Sequence, residues 1–198
     1  EIKDGPDMDA VGGAEFTVLL TELKADLNAY LATTDRAQVK TRTLADVIAF
    51  NRATPRELAL FDQDLFEAAE ATGGLSDPAY VAARETSLRL AGAEGIDRLL
   101  KDKDVDVLIA PTTGPAWMTD VVNGDHYLGS ASTLPAVAGY PHLTVPMGQV
   151  GGLPVGLSFI GGQWQDARVL ALGYAFEQLG PQRVAPAFPA SLNATRAV

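Results

Sequence analysis

The strongest constraint on this chain is how unevenly it distributes charge, glycine and proline. Of its 25 acidic and 15 basic residues, 21 and 12 fall between Glu1 and Asp106, which leaves 4 and 3 for Val107–Val198. The second stretch instead holds 12 of the 19 glycines and 9 of the 12 prolines. A charge-rich, glycine-poor segment fits amphipathic helices that keep one face wet. A charge-poor segment punctuated by Gly and Pro fits buried strands joined by tight turns. The expectation is therefore an α/β fold whose N-terminal half is mainly helical, in one domain or one and a half for 198 residues.

Local patterns place the helices. Phe16, Leu19, Leu20, Leu23, Leu27, Tyr30 and Leu31 recur at three- and four-residue spacing, with Glu22, Lys24 and Asp26 largely off that stripe, which predicts a helix over 14–32. Thr43-Leu-Ala-Asp46 reads as a capping box with Asp in the Glu position, opening a short helix to Asn51. Thr54-Pro55 places an N-cap before a first-turn proline, predicting a helix to about Ala71, where Gly73-Gly74 stops it. Ser76-Asp77-Pro78 repeats the device for a longer helix to about Lys101.

The second half changes period. Val105–Ala110 reads as a strand ended by Pro111, and Leu143–Val145 and Val155–Ile160 as two more, with 131–139 and Asp166–Leu179 helical. Strands alternating with helices point to a mixed sheet covered by helices. Three strands are few for so many helices, so the expectation is a portion of a larger sheet.

Composition removes several classes of function. The absence of cysteine excludes thiolate zinc sites, iron–sulfur clusters and cysteine nucleophiles, and leaves the compartment open between cytoplasm and secretion. A net charge of −10 without a basic patch argues against nucleic-acid and anionic-membrane partners. No apolar run approaches the ~20 residues of a membrane span. The chain opens on Glu1, and EIKDGPDMDAVGG is not a signal peptide, so the expectation is that it starts after processing or partway through a longer product.

Few residues pattern as a reaction centre. His126, in Asp120-Val-Val-Asn123-Gly124-Asp125-His126, has metal-type ligands out of register for a calcium loop and reads as a polar surface turn. His142 precedes a buried strand and reads as a packed, hydrogen-bonded side chain. Glu57, Asp62, Asp64, Glu67 and Glu70 share their predicted helix with Leu58, Leu60, Phe61, Leu65 and Phe66, which makes them a solvated face rather than facing glycosidase acids. G-x-S-x-G, S-x-x-K, G-x-G-x-x-G and the Walker lysine are all absent. Asn193-Ala-Thr195 fits a glycosylation acceptor, a tripeptide common by chance.

The stretch from Asp104 to Leu179 resembles the C-terminal part of the amidase-signature hydrolases. The family's "D-apolar-apolar-apolar-x-P-T" strand end is matched by Asp106 to Thr112, and its "AGLPAISVPxG" by Ala138 to Gly148. "GLPVGLQxIG" is matched by Gly152 to Gly161, and the helical "LLxxAxxxE" by Val169, Leu170, Gly173 and Glu177. Tyr140 and Thr144 resemble the peptide-amidase type. In these blocks Pro111 and Pro146 are expected to end strands at the sheet's rim, and Gly139, Gly148 and Gly156 to permit positive φ or close backbone approach.

The resemblance implies one amidase domain in which 1–104 is the mainly helical region and 105–198 the strand-and-helix C-terminal part. It implies a hydrolase of linear amides that works through an acyl-serine, with no metal or organic cofactor. The family's lysine, bridging serine and nucleophilic serine lie in and around a Gly/Ser-rich signature upstream of these blocks. This chain has no such stretch, so no catalytic role falls on its residues and the chain alone is expected to be inactive. Its missing partner would be that N-terminal catalytic part, and its ligand a small-molecule or peptide amide. By position, Thr112 and Trp117 after the first strand, and Ser132 and Leu134 before Ala138-Gly139, are the candidates for one wall of the acyl-side pocket. The alternative is a non-catalytic truncated or pseudo-amidase acting as a binding subunit, which a stable, monodisperse chain would favour. A complete hydrolase built on His142 is the remaining reading.

Overall fold

The structure is a computed structural model that describes residues 4–180, 182–186 and 188; the Asn193-Ala-Thr195 tripeptide lies outside them. Helix α1 spans Met8–Thr33, starting earlier than the apolar stripe predicts. Asp7 caps it by accepting from the Asp9 and Ala10 N–H groups, both at 3.1 Å, so Gly12-Gly13 are carried inside the helix instead of preceding it. Of the predicted stripe, Leu20, Leu23, Leu27 and Leu31 turn inward, whereas Phe16, Leu19 and Tyr30 are exposed.

Helix α2, Leu44–Ala53, carries the expected capping box: Thr43 accepts from the Asp46 N–H and Asp46 accepts from the Thr43 N–H. The helix expected over 54–71 is mostly absent. Residues 55–58 form a turn, 59–63 continue without helix, and α3 covers only Asp64–Glu70. The cause is tertiary. Gln63 is 6% exposed and bonds back to α2, donating to the Ile48 carbonyl at 3.4 Å and accepting from Asn51 at 3.2 Å. A buried amide must be satisfied, and only a chain that folds back on α2 satisfies this one. Glu57 and Asp62 therefore lie off the helix, while Glu67 pairs with Arg52 and Glu70 with Lys24.

The long helix runs as α4, Pro78–Ala91, a π-helical segment Gly92–Asp97, and α5, Arg98–Lys103. Asp77 caps it and Pro78 occupies its first turn as expected. Tyr80 donates to Glu22 at 2.7 Å and so fastens α4 to α1. Leu44, Ile48 and Ala69 form the buried centre of this helical region, with Leu20, Leu23, Leu27 and Phe66 packed on them.

Strands β1 (Leu108–Pro111), β2 (His142–Val150) and β3 (Leu153–Ile160) form a sheet in the order β1-β3-β2, antiparallel throughout. Strand β2 does not stop at Pro146: the register shifts between Pro146 and Gly148 and the strand runs on to Val150. A proline cannot donate to the ladder, so a bulge at this point, with Gly148 at φ 138°, lets pairing resume beyond it. Helix α6 is Thr133–Ala138, ended by Gly139 at φ 70°, and α7 is Asp166–Gln178. One face of the sheet sends Leu143, Val145, Leu157 and Phe159 under α7, where they meet Val169, Leu172 and Phe176. The Phe159 and Phe176 rings lie 5.9 Å apart, a contact worth about 0.5–1.5 kcal/mol beyond the area it buries.

Candidate active-site wall

The register sets which side chains share the sheet's other face. Leu108, Ile160 and His142 form one cross-strand row, and Ala110, Ser158 and Thr144 the next. Beyond them stand Gly156 and Pro146, paired across β3 and β2. Thr112 lies just past the end of β1, where its N–H donates to the Gly156 carbonyl at 2.8 Å. This face therefore combines an apolar corner of Leu108, Ala110 and Ile160 with the hydroxyls of Ser158, Thr112 and Thr144 and the His142 imidazole.

The polar groups are joined. Ser158, fully buried, donates to Thr112 Oγ1 at 2.9 Å, and its Oγ lies 2.6 Å from His142 Nε2. Thr112 Oγ1 in turn touches Thr144 Oγ1. Gly156 makes room for that meeting, since a Cβ there would stand 2.6 Å from Thr144 Oγ1 and 2.9 Å from Thr112 Oγ1. Burial lowers the pKa of His142 below its usual value, which favours the neutral ring.

The apolar end opens into a cavity of about 320 Å³ bordered by Leu108, Ala110, Ile160, Leu134, Ile96 and Met8. Of the four candidate wall residues, only Leu134 lines the cavity. Thr112 accepts the Ala131 N–H on its carbonyl at 2.9 Å, and Ser132 follows directly, its Oγ 2.6 Å from that of Ser130. Trp117 stands in the loop between β1 and α6, donating to Asp125 at 3.1 Å and meeting Tyr127 edge-on at 6.2 Å.

His142 is packed and hydrogen-bonded as expected. His126 is exposed beside a turn in which Asp120 accepts from the Val122 and Asn123 N–H groups, each at 2.9 Å. Among the described residues no three His, Asp or Glu side chains converge as a metal site. The sequence reading does not single out Ser158, and it marks Thr144 only as part of the family resemblance, not as a site residue. The available signals were Ser158 as the lone polar side chain in Val155–Ile160, and His142 and Thr144 two apart, hence on one face of a strand.

The amidase family model matches residues 12–170. The chain belongs to that family. A probable amidase of Arabidopsis thaliana is 33% identical over 185 residues, 90% of this chain but 32% of its own length. The native peptide amidase of Stenotrophomonas maltophilia superimposes with a TM-score of 0.83 at 47% identity, covering 92% of this chain and 36% of that one. A peptide amidase in complex with the competitive inhibitor chymostatin gives a TM-score of 0.82 at 47% identity, over 90% of this chain and 37% of that one. This amidase chain thus spans about a third of the length of these relatives. The α/β class and the amidase-signature fold expected from the four sequence blocks are those of these neighbours.

Proposed function

We propose that this chain is the C-terminal portion of an amidase-signature hydrolase that cleaves linear amides through an acyl-serine intermediate, and that it supplies one wall of the acyl-side pocket. The observation that supports this reading is an apolar cavity of about 320 Å³, lined by Leu108, Ala110 and Ile160 of the sheet and by Leu134 of α6, on the sheet face that also carries the hydroxyl chain reaching Thr112. Such a face suits an acyl group: hydrocarbon fills the apolar end while hydroxyls orient the polar atoms. Trp117 would close the wall from the loop after β1.

On this reading the residues up to 104 and those from 105 onward are two parts of one domain, and a larger sheet continues from the three strands. The nucleophile and its base come from the rest of the polypeptide. Serine attack gives the acyl-enzyme, the C–N bond breaks with release of ammonia or amine, and water regenerates the serine. The wall residues contribute by holding the acyl group in line for attack. The likeness to peptide amidases over nine-tenths of the chain supports a peptide amide as substrate.

The test compares the natural polypeptide that contains this chain with the 198-residue chain itself, measuring ammonia released from a C-terminally amidated peptide. The longer protein should hydrolyse it and the shorter should not. An inert longer protein that still bound the peptide would instead establish a non-catalytic binding subunit.

A further inference from the structure

We propose that His142 is a positioning residue that gives the Thr112–Thr144 pair its hydrogen-bonding polarity, making the rim of the sheet a donor for a carbonyl oxygen of the bound amide. The inference rests on the proposed wall and adds to it Thr144 as a contact residue.

The chain has four members on or beside three strands: His142 Nε2, Ser158 Oγ, Thr112 Oγ1 and Thr144 Oγ1. Three contacts join them, and each contact consumes one proton. Ser158 donates to Thr112, so in its contact with His142 it accepts. Nε2 therefore carries a proton, and in the neutral ring Nδ1 is the acceptor. The Nε2–H and the Ser158 proton fill the first two contacts. The two threonine protons remain, one contact separates them, and one O–H is left over. Whichever threonine keeps it, the pair is a net donor.

The other tautomer reverses this. With Nε2 bare, Ser158 would donate to His142, Thr112 to Ser158 and Thr144 to Thr112, leaving no proton at the rim and only lone pairs. Such a rim would repel a carbonyl oxygen. The tautomer of one half-buried imidazole thus decides what the exposed Thr144 end of the chain offers. Ser158 at the centre is fully buried, so water cannot stand in for it. The added Cβ that Gly156 lacks would press into the threonine pair, so the cradle is part of the backbone design.

The experiment uses the natural polypeptide that carries this chain and an amidated peptide as substrate. Nitrogen-detected NMR of the histidine ring should show the Nε2–H form of His142; the Nδ1–H form would overturn the proposal. In kinetics, His142→Glu, whose carboxylate can only accept from Ser158 and so turns the chain round, should raise KM about 3- to 10-fold, the scale of one neutral hydrogen bond, with little change in kcat. His142→Gln, whose amide can still donate to Ser158, should restore most of the loss. A His142→Glu enzyme with unchanged KM would overturn the proposal while leaving the wall intact. Should Thr112→Val and Thr144→Val both leave an active enzyme's KM untouched, the wall itself falls and this proposal with it.

Discussion

The helical region and the sheet solve the same problem, burial of apolar surface, with different consequences. In the helical region the buried groups come from three helices: Leu44, Ile48 and Ala69 meet Leu20, Leu23, Leu27 and Phe66. In the sheet, Val145, Phe159 and Val169 are brought together by strand pairing and by α7, which covers one face. The other face is where His142, Ser158, Thr112 and Thr144 join. One region is scaffold on every buried side, and the other is scaffold on one face and candidate site on the opposite one.

The largest effects should come from the two apolar centres. Phe159→Ala should cost about 3–5 kcal/mol and Leu44→Ala about 2–5 kcal/mol of unfolding free energy, by transfer plus cavity formation. Hydrogen exchange sharpens the comparison: Phe159→Ala should speed exchange in β2, β3 and α7 first, and Leu44→Ala in α1–α3. Equal loss of protection everywhere from either change would break the two-region description.

A smaller effect separates the sheet's two faces. Ser158→Ala leaves His142 Nε2 and Thr112 Oγ1 without their buried partner and should cost about 1–3 kcal/mol in chemical denaturation. A neutral outcome would mean that this face tolerates an interrupted chain. In the helical region, Asp46→Ala removes one half of the capping box and should lower the melting temperature by less than Ser158→Ala does.

The smallest effect probes the join between the regions. Tyr140, which precedes β2, donates to Asp97 of the π-helical segment at 2.7 Å. Burial first, and then the Asp97 hydrogen bond and charge, push its phenol up to about 12. Because the folded state holds the proton more tightly than the unfolded chain, this contribution is complete below about pH 10 and fades as pH rises toward 12. Phenolate absorbance should show Tyr140 titrating late, alongside Tyr80, whose phenol the Glu22 hydrogen bond also raises. Asp97→Asn should lower its pKa only part of the way, since burial remains, and Tyr140→Phe should flatten the alkaline slope of stability.

Legibility in the sequence follows the reach of the physics. The Thr43–Asp46 capping box was readable because every partner lies within four residues. The Thr54-Pro55 signal misled because Gln63 is held by Ile48 and Asn51, across a fold-back that no local pattern encodes. The bulge at Pro146 hid the length of β2 for a related reason: pairing with β3 resumes beyond a residue that by itself reads as a stop. Thr112 is a candidate because the family block ends on it, and Leu134 because of its place before Ala138-Gly139. Ser158 reaches Thr112 across 46 residues, so their contact exists only once β1 and β3 are in register.

The central claim, that this sheet face walls a substrate pocket, is tested most directly by a crystal structure of the natural polypeptide with chymostatin bound. The account predicts inhibitor atoms within about 4 Å of Thr112 and Leu134, with a carbonyl oxygen at hydrogen-bonding distance from Thr112 or Thr144. An inhibitor bound elsewhere, touching none of Thr112, Trp117, Ser132, Leu134 and Thr144, would contradict it.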